Sequence, residues 1–168
     1  MSPNNVELLT RLGDAGFEMV VIGGAAAVLQ GSPLVTADLD VCSPFTPENM
    51  RRLLTVVGSL NAKFRFHPKH PPLPTDPMEL ARFRNLNLAT DLGDLDVLSE
   101  VPPVGGYADV VKESEVTTVN GRPIAILKLD TLIRVKEAAG RIKDRLGVLH
   151  LDSVRKRKRN QQKPPDDR

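Results

Sequence analysis

Asp38 and Asp40 stand two residues apart and alternate with Leu39 and Val41, the period of a β-strand. Both carboxylates therefore leave one face, about 7 Å apart along it. Such a pair is unfavourable as packed surface and suits a divalent cation that takes oxygen ligands. A solvated face of an edge strand is the plainer reading of the same pattern. Spacing alone decides little, because a chain with 13 aspartates carries a second such pair, Asp94 and Asp96. Asp96 lies between apolar Leu95 and Val97 and would bring a third acid to the same sheet. Asp94 competes for that place, but it adjoins Gly93, where an aspartate often caps the turn. Three acids so placed could hold two metal ions against a triphosphate and activate a hydroxyl.

These acids need elements to bring them together. Met19 to Ile22 is a short apolar run rich in β-branched residues, stopped by Gly23-Gly24, and reads as a buried strand. A strand ending in glycines at the start of a helix offers free backbone donors to an anion. A tight turn is the simpler reading of the pair. Ala25 to Gln30 predicts a helix short enough for the chain to return beside it with Asp38 and Asp40, and Gly31 ends it. Upstream, Ser2-Pro3 starts a helix whose stripe is Val6, Leu8, Leu9 and Leu12. Thr46-Pro47-Glu48 opens another, with Met50, Leu53, Leu54, Val57 and Leu60 on its buried face. Residues 68–77 hold five prolines in ten positions and predict an extended surface loop. Leu86 to Leu98 reads as a hairpin turning at Asp91-Leu92-Gly93, and Val116 to Leu127 as another turning at Asn120-Gly121. Asp130 is expected to cap a helix through Ala139, Gly140 to interrupt it, and Asp144 to cap a last helix. The order predicts an α+β fold: a small mixed sheet flanked by helices, with helices at the C-terminal end.

At 168 residues the chain fits a single domain that needs neither disulfide nor structural metal. With 40% hydrophobic and 26% charged residues it is of ordinary globular composition. No apolar run approaches membrane-spanning length, and the N-terminal residues lack the basic-then-apolar order of a secretory leader. The single cysteine, Cys42, fits a reducing compartment, and the expected location is cytoplasmic. The net charge of +2 hides an asymmetry, since residues 155–168 carry seven basic and two acidic side chains. Residues 1–154 are expected to form the domain, and 155–168 a basic, disordered tail with a sequence-insensitive pull on nucleic acid. His67, His70 and His150 show no zinc-ligand spacing and read as surface residues. Cys42 has no histidine partner in the sequence and reads as buried structure.

The stretch VIGGAAAVLQGSPLVTADLDVC resembles the nucleotidyltransferase superfamily typified by DNA polymerase β, in which an apolar strand, Gly-Gly or Gly-Ser, a short helix and Asp-x-Asp follow in that order. GDLDVL resembles its third-acid strand. LKLDTLIRVKEAAGRIKDRLGVL resembles the small bacterial members related to AbiEii-type abortive-infection toxins. Together these elements cover roughly residues 5–150. The resemblance implies that Asp38, Asp40 and Asp96 are catalytic and hold two Mg2+ or Mn2+ ions, with Asp96 helping to deprotonate the acceptor. It also implies that Gly23 and Gly24 cradle the triphosphate and that Thr36 bonds nearby. Lys136, Arg141 and Lys143 would reach a triphosphate or an acceptor phosphate. For Lys136 the plainer reading is a solvated helix face, and for Arg141 an exposed pair with Glu137. Related sequences often place an arginine where this chain has Leu34, which bears on the substrate more than on the fold.

The implied activity is metal-dependent transfer of a nucleoside monophosphate from a nucleoside triphosphate, ATP among them, to an acceptor hydroxyl. In the toxin branch the acceptor is the tRNA 3′ end or a protein side chain; other branches modify antibiotics. A toxin held down by a cognate antitoxin protein follows from the same resemblance, with no role for a membrane. The alternative is a nucleotide- or RNA-binding module that keeps the fold without turnover.

Overall fold

A computed structural model describes residues 1–162, apart from the side chains of Ile142, Lys143 and Gln162. The chain runs through α1 (Pro3–Asp14), β1 (Val20–Val21), α2 (Gly23–Leu29), β2 (Leu39–Cys42) and α3 (Pro47–Val57). After a 3-10 turn come β3 (Lys63–Phe64), α4 (Pro77–Leu80), β4 (Asn85–Thr90) and β5 (Gly93–Leu98). The remainder is β6 (Glu100–Val101), β7 (Gly105–Gly106), α5 (Tyr107–Lys112), β8 (Ser114–Val119), β9 (Arg122–Leu127), α6 (Leu129–Ala139) and α7 (Ile142–Gln162).

Seven strands form one mixed sheet in the order β3-β4-β5-β2-β1-β9-β8. β2 runs parallel to β5 and β1 parallel to β9; the other neighbours are antiparallel. This is the expected α+β fold, a mixed sheet flanked by helices. The period-2 alternation sorts the sheet's centre into two faces. Leu39 and Val41, Leu95 and Val97, and Leu86 and Leu88 are fully buried beneath it, with Leu8, Leu9 and Leu12 of α1 and Met50, Leu53 and Val57 of α3 in the same core. The polar residues between them face the other way.

Local signals explain the helix ends. Ser2 Oγ accepts from Asn5 N at 3.1 Å with Pro3 in the first turn, and Thr46 Oγ1 accepts from Asn49 N at 3.2 Å. Asn49 then staples α3 to the entry of β1: its Oδ1 accepts from Glu18 N at 2.8 Å, and its Nδ2 donates to Ser43 Oγ at 2.8 Å. Both expected hairpins form, as β4–β5 and β8–β9. Residues 65–76 form no named element, and the last proline of the expected loop, Pro77, instead opens α4.

Four local expectations need correction. Leu60 is buried from the 3-10 turn Gly58–Leu60 and not from α3. Asp130 lies inside α6, whose N-cap position is Lys128. Asp144 lies inside the first turn of α7 and not ahead of it, and its carboxylate faces Lys136 and Arg141. The basic segment continues α7 as far as Gln162, because Arg155 pairs with Asp152 and Asp130, and Lys158 Nζ donates to Gln30 Oε1 at 2.7 Å. Residues 163–168 of the expected tail lie outside the described residues. The sequence reading missed α5, the β6–β7 ribbon and β3, each built from six residues or fewer.

Candidate functional site

On the polar face one lateral row crosses four chain segments. Asp40 is the register partner of Asp96 across the parallel β2–β5 pair, and Asp96 is the partner of Asn87 across β5–β4. Arg65, just past β3, extends the row by donating its backbone N–H to Asn87 O at 2.8 Å. Adjacent strands lie about 4.8 Å apart, so the Asp40 and Asp96 carboxylates stand side by side with like charge. Asp38 joins them from the loop leading into β2. Asn5 of α1, itself buried, donates Nδ2 to Ala37 O at 3.1 Å, and Thr36 Oγ1 donates to Asp38 O at 3.1 Å. These bonds fix the approach of the Asp-x-Asp segment.

Gly23 and Gly24 meet this segment with no room to spare. Gly23 has φ +60°, and a Cβ there would run into Asp40 Oδ2. A Cβ at Gly24 would fall 2.6 Å from Thr36 Oγ1. Ile22 N–H also donates to Asp40 O at 3.0 Å, binding the glycine turn to the acid-bearing strand. Glycine is thus required here by Asp40 and Thr36, whatever the turn binds.

A hollow of about 560 Å3 opens over this face, lined by Asp38, Asp40 and Asp96 together with Gly24, Thr36, Lys136 and Arg141. Seven of the nine residues singled out in the sequence therefore converge. Gly23 lies directly behind Asp40, and the side chain of Lys143, on α7, lies outside the described structure. The basic residues arrive on α6 and on the turn to α7. Asp144, 4% exposed, lies 3.6 Å from Lys136 Nζ and accepts from Arg141 Nε at 2.6 Å. Arg141 therefore pairs with Asp144 and not with Glu137. Lys136 is only 16% exposed, so it is no solvated helix face, and its stem lies across Gly147, where a Cβ would come within 3.2 Å of Cδ.

The third acid has company that the sequence did not announce. Arg65 Nη2 donates to both oxygens of Asp96 at 2.7 Å, and Asn87 Nδ2 donates to Asp96 Oδ1 at 2.9 Å. Arg65 Nη1 lies 2.7 Å from Asp94 Oδ2. Asp94 is thus held by Arg65 and is no turn cap; Thr90 Oγ1 closes that turn by donating to Gly93 O at 2.7 Å and accepting from Leu92 N. Burial pulls the Arg65 pKa down, but the hydrogen bonds and charges of Asp94 and Asp96 outweigh it, and the guanidinium is held more firmly charged than usual.

No family model matches the sequence, and no curated protein matches it. Solved structures do match. The lincosamide antibiotic adenylyltransferase LnuA, in a lincomycin-bound structure, superposes with a TM-score of 0.64 at 13% identity, over 92% of this chain and 98% of that one. The antibiotic-resistance factor ANT(2'')-Ia gives 0.55 at 14% identity, over 96% and 94%. A nucleotidyltransferase-like protein from Paracoccidioides brasiliensis gives 0.55 at 18% identity, over 89% and 72%. The fold is that of the nucleotidyltransferases.

On this nucleotidyltransferase fold the Asp38 and Asp40 carboxylates are the hard oxygen donors that a divalent ion such as Mg2+ takes. Among the described residues, however, no group of three His, Cys, Asp or Glu side chains is placed to hold an ion. Asp96, the expected third ligand, has both oxygens engaged by Arg65. Asp38, Asp40 and Asp96 thus line one hollow, with Asp96 bound to Arg65 in this structure. Sequence reading missed Arg65, Asn87 and Asp144 as site residues. The available signal for the first was a lone cation between two aromatic residues, Phe64-Arg65-Phe66, just before the proline-rich loop. Asn87 could have been found as the polar residue between Leu86 and Leu88.

Proposed function

We propose that this protein transfers a nucleoside monophosphate from a nucleoside triphosphate to an acceptor hydroxyl, in a reaction that depends on a divalent metal ion. The observation that carries the reading is the convergence, in one hollow, of the Asp38–Asp40 pair, the glycine turn and the cations Lys136 and Arg141. An ion held by Asp38 and Asp40 would offset charge on the phosphates. Lys136 and Arg141, oriented by Asp144, face the same space and suit the phosphate tail. The acceptor oxygen attacks the α-phosphorus, the bond from that phosphorus to the α–β bridging oxygen breaks, and pyrophosphate leaves. The hydroxyl proton passes to a carboxylate on the polar face of β2 and β5. The protein's part is positioning and electrostatics, without a covalent intermediate.

For the acceptor we favour RNA, with the tRNA 3′ end as the first case to try. The support is the basic stretch Arg155–Arg159 at the end of α7, most of it exposed. A protein side chain is the next acceptor to test, as is the small-molecule class suggested by the names of LnuA and ANT(2'')-Ia. A toxin held by an antitoxin remains the biological setting that the sequence resemblance suggests. A binding module without turnover is the competing reading, and the engagement of Asp96 by Arg65 favours it. Incubation with each α-labelled nucleoside triphosphate, Mg2+ and total RNA separates these cases. Label on tRNA, lost in Asp38→Asn and Asp40→Asn, is the expected outcome. Label on protein would redirect the acceptor, and triphosphate binding with no label on any acceptor would establish the binding module.

A further inference from the structure

Aromatic side chains are scarce in this chain, five phenylalanines and one tyrosine, yet three of them gather at one place. Phe64, Phe66 and Phe83 line a second hollow, of about 550 Å3, to which β3, β4, α4 and the proline-rich loop all contribute. Phe64 and Phe83 stack with ring centres 5.6 Å apart, and three prolines of the loop add stiff apolar wall. Phe66 is 73% exposed, although the Arg65 guanidinium lies over its ring at 4.5 Å. The lining also holds groups able to bond the rim of a flat heterocycle: the Asn85 amide, the Glu79 carboxylate and the His67 imidazole. Among its described lining residues there is no lysine or arginine, so the hollow suits a base and not a phosphate.

This hollow is continuous with the one over the acids. Phe66 lines both, and Asn87, which lines the second, donates to Asp96, which lines the first. Sheet order gives the pair a direction. The glycine turn follows β1, the acids stand on or just before β2 and on β5, and the aromatic hollow draws on β4 and β3. In-line transfer needs the attacking oxygen on the side of the phosphorus opposite the leaving pyrophosphate. The phosphate tail is assigned to the glycine turn and to Lys136 and Arg141, and α6 packs on α2 at that end. The acceptor then approaches from the β4–β3 end, where the aromatic hollow lies.

The spacing also selects the kind of acceptor. A tyrosine carries its hydroxyl on the ring and would need that ring at the phosphorus, and a serine brings no ring at all. A ribonucleotide carries its hydroxyl one sugar away from its ring, which matches a ring site one residue beyond Asp96. We propose that the aromatic hollow is the acceptor subsite and takes a nucleobase, that of the RNA nucleotide whose sugar bears the attacking hydroxyl. The base stacks on Phe66, the most exposed of the three rings, and single-stranded RNA is the form that frees a base to do so. This rests on the proposed transfer to RNA, because that reading sets the direction of the phosphate tail.

The test measures binding by fluorescence anisotropy on the full-length protein, without triphosphate or metal. One probe is a short 5′-labelled single-stranded RNA ending in adenosine with a free 3′-hydroxyl; a second lacks only that terminal base. Phe66→Ala should bind the first probe at least about fivefold more weakly than the wild type, the lower end for one base–aromatic stack. On the second probe the two proteins should agree within about twofold, because the stacking partner is gone. Phe66→Tyr should bind both as the wild type does. Equal affinity of wild type and Phe66→Ala for the first probe would overturn the assignment. So would an equal loss on both probes, or a wild type that binds neither. If Phe66→Ala does not fold, Phe66→Leu, which keeps bulk without a ring, decides by the same comparison. Failure of the transfer reading looks different: no triphosphate labels RNA, while the base-dependent loss in Phe66→Ala persists. Labelling of RNA by Phe66→Ala with an unchanged KM for RNA would keep the function and remove the subsite.

Discussion

The glycines and the buried aspartate set the tightest conditions in the site. Gly23 combines a φ of +60° with direct approach to Asp40. Gly23→Ala should therefore cost about 1–3 kcal/mol in strain and displace the Asp40 carboxylate. The expected outcome is a lowered denaturation midpoint together with weakened Mn2+ binding. A variant with wild-type stability and ion affinity would show that the turn relaxes freely. Asp144 carries a different consequence. Its burial between Lys136 and Arg141 means that Asp144→Ala leaves a largely buried ammonium unmatched, with a loss of about 3 kcal/mol measured by urea unfolding. The same change should raise KM for the triphosphate by releasing both cations. Sequence reading had placed Lys136 and Arg141 near the site but had given Asp144 a capping task. A carboxylate at a helix start looks the same in sequence whether it bonds its own backbone or a neighbour's cation.

Among the elements, the short central strand β1 depends most on its neighbours. It is two residues long and carries the glycine turn, so its position is set from outside by Asn49 of α3 through Glu18 and Ser43. Asn49→Ala should leave the Glu18 N–H without its side-chain partner, while the Glu18 C=O keeps Ser43 Oγ, and cost about 2 kcal/mol, read as a shift in thermal midpoint. Both hairpins were legible because Asn120-Gly121 and Asp91-Leu92-Gly93 are local turn signals flanked by alternating residues. The short pieces were not. β3 is two residues long and is held from outside, by β4 on one side and by the loop at Pro71–Pro72 on the other, and α5 is a turn and a half between two sheets, too short for a helical period to show.

For the molecule as a whole, Cys42 reports on the integrity of the core. It is fully buried on β2, and burial pushes its thiol from the ordinary 9.0 up to about 11. The native state thus holds the proton more tightly than the unfolded chain does. Its contribution to stability is present in full below about pH 9 and lost as pH rises through about 11. Stability should fall across that interval in the wild type and less so in Cys42→Ala. The thiol should also resist a disulfide reagent at pH 8 until denaturant is added; prompt reaction in the native protein would contradict the burial.

The sequence by itself determined the α+β class, the strand–glycine–helix–strand order and the residues able to meet at Asp38, Asp40 and Asp96. All of these follow from local periodicity and turn chemistry, which act within a few residues. Tertiary structure alone decided which charges neutralise which. Arg65 reaches Asp96 from 31 positions away because β3, β4 and β5 are laid edge to edge, and Asp144 faces Lys136 because α7 folds back on α6. Ion pairing depends on distances of a few ångströms between segments remote in the chain, and no pattern along one segment encodes the register that sets them.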